Sequence, residues 1–415
     1  MGISLRTYRE DYETLRQACA VKGPRLIGGS VLLAQYPFIS SGSQVFPSDR
    51  QYYAPRLSGS PLNLNQTLFA GDLDQLIQQS DSHIEENTHF TYPLLRPSSS
   101  QTVKGLIILL HGLNEKDWLK YLPWAQRLVE LTGRAVLLFP LAFHINRAAP
   151  AWHDARAMQK ASQKRVALFT GLEASSFTNA AMSTRLHFAP ARFFLSGLAT
   201  YTDVVHLVQS LRQGELLWAD PAASVDFLGY SAGAFLAQVL LMANRQGLFS
   251  QSKALLFCGG PLLSRMRLTS RYIMDSEAHR AIQEFYLENF DKKIKEDAQL
   301  KQLFEQAQRG GAFFRSLLSE HYPEGNQLRQ NRLAELRTQL LALTLAQDEV
   351  MTPEEVGASL RDAEGHMLVP MEVFDFDFPY SHVNPFPNTP RHEEAVSLAF
   401  SRVMSRIAEF FTPLL

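Results

Sequence analysis

Residues 224–237, reading SVDFLGYSAGAFLA, run from an apolar strand through Gly-x-Ser-x-Gly into an apolar helix. The pattern is sterically demanding. A serine at the tip of so tight a strand-to-helix turn is held in a strained backbone conformation, and only residues without side chains at 229 and 233 let strand and helix approach each other. With the strand before it and the helix after it, the motif reads as a nucleophile elbow presenting Ser231.

A serine hydroxyl is a weak nucleophile at neutral pH. It needs an imidazole to take its proton and a carboxylate to hold that imidazole. In chains built around an elbow these follow the serine as acid and then histidine, each after a later strand. The apolar run Leu340 to Leu345 leads into Ala346-Gln347-Asp348-Glu349, which puts Asp348 at a strand end, with Glu349 competing in the same loop. Three histidines follow. His366 precedes the apolar run 367–376 and His392 opens the C-terminal helix, whereas His382 follows the run directly and is the expected base. The developing oxyanion needs preorganised N–H donors, each worth ~3 kcal/mol of barrier. Ala232, directly after the serine, supplies one. Leu113 supplies the other, in the His111-Gly112-Leu113-Asn114 loop after the run 105–110, with His111 holding the loop rather than reacting.

Around these residues the chain alternates short apolar runs with amphipathic stretches, as in a parallel sheet covered on both faces. Six runs, 106–110, 135–139, 225–228, 254–258, 340–345 and 367–376, predict one doubly wound α/β sheet. Helical spacing marks Tyr8, Tyr12, Leu15 and Cys19, and a short helix is expected over 73–79. Between them a Gly/Ser/Pro-rich stretch, 23–61, shows no periodicity. The expected organisation is an accessory segment 1–88, a core of 89–261 with 339–415, and a helical cap inserted at 262–338. The run 89–95 and the breaker after Pro97 read as a strand and a turn. Phe143, His144, Arg147, Trp152 and Tyr230 are expected to bind substrate, Arg147 or Arg156 by gripping a carboxylate.

The His-Gly loop, elbow, late acid and later histidine resemble the α/β-hydrolase superfamily over roughly residues 90–415. The resemblance implies a mostly parallel sheet of about eight strands with its site at the strands' carboxyl ends. It also implies cleavage of an ester or related acyl bond through a covalent acyl-enzyme, without cofactor or metal. Ser231 would be nucleophile, His382 base, Asp348 its partner, and Leu113 and Ala232 oxyanion donors. An acyl-peptidase or acyltransferase of the same fold, or a non-catalytic hydrolase-like binding protein, shares these features.

Composition narrows the partners. Forty basic against forty-one acidic residues give no bulk field for nucleic acid, leaving a small acyl substrate as the expected ligand. Two distant cysteines, Cys19 and Cys258, make neither a disulfide framework nor a metal site. With no secretory h-region and no apolar run of ~18 residues, a cytoplasmic protein without a membrane span is expected.

Overall fold

In a computed structural model, which describes residues 7–19, 23–46, 56–57, 60–61, 79–306 and 309–412, nine strands form one sheet. In chain order they are β1 (Arg25–Ile27), β2 (Val31–Ile39), β3 (His89–Pro97), β4 (Val103–Leu110), β5 (Ala135–Phe139), β6 (Ala219–Tyr230), β7 (Ala254–Phe257), β8 (Leu340–Leu345) and β9 (Met371–Phe374). Their order across the sheet is β1-β2-β3-β5-β4-β6-β7-β8-β9. From β5 to β9 every neighbouring pair is parallel, while β1, β2 and β3 join antiparallel at one edge. Leu106 to Leu110 are wholly buried, as expected of a strand covered on both faces.

Helices fill both faces. Helices α1 (Tyr8–Cys19), α2 (Tyr121–Thr132) and the C-terminal α6 (Glu393–Phe411) share one core with Ile107, Leu109, Val136 and Leu343. In α6 the buried Val396, Phe400, Val403, Met404 and Ile407 recur at helical spacing. On the other face, α3 (Arg192–Arg212) and α4 (Ala232–Ala243) pack on Leu106, Ile108, Leu137 and Phe227. A short helix, α5 (Pro353–Ser359), follows β8. The stretch 262–338 contributes further short helices whose Phe285, Tyr286, Phe290, Phe313 and Phe314 belong to the same core as α3 and α4.

The sheet differs from expectation at its antiparallel edge. It has nine strands rather than about eight, because inside the stretch assigned to an accessory segment Val31–Ile39 pairs with β3 and Arg25–Ile27 pairs in turn with Val31–Leu33. Pro37 sits in β2, near the edge where proline is tolerated. Buried Val31, Leu33 and Ala34 break the regular alternation that would have revealed the strand. The run 367–376 narrows to a strand over 371–374. Apart from Gln79, the helix expected over 73–79 lies outside the described residues. Among the described residues no helix is long and apolar enough to cross a membrane.

Candidate active site

The parallel register aligns the carboxyl ends of the central strands. Leu110 of β4 pairs with Gly229 of β6, Tyr230 with Phe257 of β7, and Phe257 with Leu343 of β8. The loops that follow therefore emerge side by side.

Ser231 follows β6 with φ 55° and ψ −117°, a conformation costly for a residue with a side chain. The surroundings fix it: its N–H donates to Phe257 O at 3.1 Å, and its carbonyl accepts from Ala234 N at 2.9 Å. A Cβ on Gly229 would stand 2.5 Å from Ala234 Cα, and one on Gly233 would stand 2.0 Å from Leu110 O. Strand and helix thus meet at distances no side chain survives, which is why the elbow was visible in the sequence.

Asp348 follows β8 and is buried. Its Oδ1 accepts from the N–H groups of Val350 and Met351, both at 2.9 Å, and its Oδ2 lies 2.7 Å from His382 Nδ1. His382 Nε2 in turn lies 2.8 Å from Ser231 Oγ. A carboxylate facing Nδ1 makes that nitrogen the donor, so Nε2 is the acceptor for the serine hydroxyl. Glu349 and His366 are exposed, and His366 pairs with Asp362 at 3.2 Å. The backbone of His382 is itself held, since the Tyr230 hydroxyl donates to its carbonyl and the two rings stack 5.8 Å apart.

The His-Gly loop lies directly against the serine, for a Cβ on Gly112 would stand 3.4 Å from Ser231 Cβ. His111 Nε2 accepts from Leu141 N–H at 2.9 Å, which leaves the proton on Nδ1 to donate to Gly112 O at 2.7 Å. Burial pushes the pKa of His111 well below 6.5, so it is a neutral strut. Leu113 and Ala232 flank the serine from loop and helix respectively. Ala232 opens α4, where first-turn N–H groups lack partners within the helix.

One carboxylate ties this loop to the histidine loop, and it went unnoticed in the sequence. Glu115 accepts from Lys120 and, at 2.6 Å, from the Tyr121 hydroxyl. That hydroxyl accepts from Gly112 N–H at 3.1 Å, and Lys120 also donates to Val383 O at 3.1 Å. Only the i, i+5 and i, i+6 separations from Glu115 were local; the link to Val383 is a product of the fold.

Two cavities open beside Leu113. One, of about 50 Å³, is mostly apolar, with Phe143, His144, Trp152, Met182, Leu186 and Phe193 in its walls. The other, of about 400 Å³, is lined by Lys120, Thr178, Tyr272, Ser381, Val383 and Asn384 among others. Phe143, His144 and Trp152 line a cavity, but two others expected to bind substrate do not. Arg147 is wholly buried and saturated, with its donors on Asn87, Pro140 O and Asp203, the last at 3.0 Å. Tyr230 is buried behind His382, where it positions the imidazole. Arg156 is exposed. Asp362, Glu364 and His366 bring ligand atoms within 4.8 Å of one another at the surface, with nothing further there that points to an ion.

The chain matches the family described as "Family of unknown function (DUF6051)" over residues 6–412, and it belongs to that family. No curated protein matches it. Among solved structures it is similar to carboxyl esterase 2 (TmelEST2) from the mycorrhizal fungus Tuber melanosporum, at 13% identity and TM-score 0.42, covering 78% of this chain and 82% of that one. It is similar to TT1662 from Thermus thermophilus at 13% identity and TM-score 0.41, covering 78% and 94%. A third is a cold-adapted esterase from an Arctic intertidal metagenomic library, at 10% identity and TM-score 0.38, covering 94% and 97%. Likenesses of this size say nothing about substrate.

Proposed function

We propose that this member of DUF6051 is a serine hydrolase that cleaves a carboxylic ester or related acyl bond through a covalent acyl-enzyme. The observation that carries the reading is the unbroken chain from Ser231 Oγ through His382 to a buried Asp348, at 2.8 and 2.7 Å. Ser231 Oγ attacks the substrate carbonyl carbon while its proton passes to His382 Nε2, and the carbonyl π pair moves onto oxygen. Leu113 and Ala232 N–H groups receive that oxyanion. Asp348 stabilises the imidazolium through Nδ1–H. Collapse of the intermediate breaks the bond to the leaving group, which takes the proton from Nε2. Water then attacks the acyl-serine, gives its proton to His382, and releases the carboxylic acid with Ser231 restored. Residues 262–338 serve as the helical cap, through Tyr272 at the polar cavity.

The test is intact mass after incubation with a fluorophosphonate, followed by turnover of activated esters. Wild type acquires one adduct that Ser231→Ala lacks. Ser231→Ala loses essentially all turnover, and Asp348→Asn loses about 10⁴-fold in kcat because the imidazole is no longer held in the right tautomer. A folded wild type that takes no adduct and turns over no ester would overturn the reading.

A further inference from the structure

Most buried cations of this protein are matched to acids inside the fold, and buried Arg329 donates instead to Ser316 O and Asn326 Oδ1. Arg147 meets Asp203, Arg165 meets Asp275 at 2.7 Å, Arg185 and Arg192 both meet Asp81, and half-buried Lys120 meets Glu115. Lys116 is different. It is half-buried, lines both cavities, and has neither an ion pair nor a side-chain hydrogen bond among the described residues.

Neither acid beside it forms an ion pair with it among the described residues. Glu115 is held by Lys120 and Tyr121, and Asp117 accepts from Leu119 N–H at 2.9 Å. Across the apolar cavity Lys116 faces His144 and His153, and its charge is among the causes that lower both their pKa values. Arg185 and Arg192 stand in the same lining, whose one carboxylate among the described residues is Glu115. Burial lowers the Lys116 ammonium to about 8, so it stays charged at neutral pH without an ion-pair partner among the described residues. An ammonium in that position is stabilised by an anion delivered from the cavity.

We propose that Lys116 is the subsite for a carboxylate on the substrate, which makes the preferred substrate an ester with an apolar body and a second, free carboxylate. The apolar walls take the body, and Leu113, three residues before Lys116, places the scissile carbonyl close to the same loop. A single ammonium matches a monoanion; a phosphate dianion would leave one charge uncompensated in an apolar surround. The inference rests on the serine hydrolase reading above.

The experiment compares kcat/KM for two matched pairs of activated esters. In one pair, mono(4-nitrophenyl) adipate is set against its neutral methyl ester. In the other, a carboxylate on the phenol side is set against the carboxamide. Wild type prefers the anionic member of at least one pair by about tenfold or more, mainly through KM. Lys116→Met brings that ratio close to one, Lys116→Arg retains much of it, and Lys116→Glu reverses it. Lys116→Gln gives the same comparison where the Met variant does not fold, and fluorophosphonate labelling of Ser231 reports a folded site in each variant. Equal ratios in wild type and Lys116→Met, with labelling intact, overturn the subsite alone. A folded wild type with neither labelling nor turnover overturns the hydrolase reading, and the subsite with it.

Discussion

Two loops leave neighbouring parallel strands at the same end of the sheet, 111–120 after β4 and 140–153 after β5, and they use the same residue types in opposite ways. Each has a buried histidine and a basic residue. In the second loop the basic residue is sealed, because Asp203 on α3 reaches Arg147 and Asn87 takes two more of its hydrogen bonds. In the first, Lys120 is spent holding Val383 while Lys116 is left facing the cavities. What separates a structural cation from one available to a ligand is therefore the reach of a distant carboxylate, which residue type does not reveal.

The sharpest way to break this comparison is to disarm the sealed pair. Asp203→Asn leaves the Arg147 charge buried without its counter-charge and should cost about 3–5 kcal/mol of stability. Urea unfolding reads it, with the kcat of the molecules that remain folded unchanged; full stability in the variant would mean that Arg147 is not sealed as described. Glu115→Gln should act the other way round. It weakens the grip on Lys120 and Tyr121 and lowers kcat about 10- to 100-fold, or ~1.4 to 2.7 kcal/mol of barrier, with a smaller change in unfolding midpoint. A variant that loses stability but keeps kcat would move Glu115 to the structural side.

A further effect, spread over pH, should be common to both loops. His111 and His144 are both kept neutral by burial, His144 with its pKa pushed down to about 4 from 6.5. As pH falls below 6.5 the unfolded chain takes up protons that the folded chain refuses. Stability is therefore complete above pH 6.5 and declines towards pH 4, by up to about 1.4 kcal/mol per pH unit for each group. Thermal melts across that range check it, and His144→Phe should flatten the slope; an unchanged slope would remove His144 as a contributor.

The same distinction governs what could be read from the sequence. Ser231 was legible because the elbow's constraint is local, with two glycines, a strand and a helix all within fourteen residues. Asp348 and His382 were legible because each follows an apolar run in a fixed order, and the structure brings both to Ser231. Arg147 and Tyr230 were misread because what occupies them lies far along the chain, 56 residues away at Asp203 and 152 at His382. The edge strands β1 and β2 were missed because a Gly/Ser/Pro-rich setting conceals strands that are fixed by β2 pairing with the distant β3 and β1 with β2. The bond between Glu115 and Tyr121 is close in sequence, yet its meaning depends on where Lys120 and Gly112 end up.

That meaning extends to motion. Since one carboxylate grips Tyr121 under Gly112 and Lys120 under Val383, neither loop can swing without loosening the other. Hydrogen exchange at Gly112 and at the backbone beside His382 should then follow a single opening rate. The His-Gly loop and the imidazole would open and close together, so forms with His382 beside Ser231 but the His-Gly loop displaced would be scarce in solution.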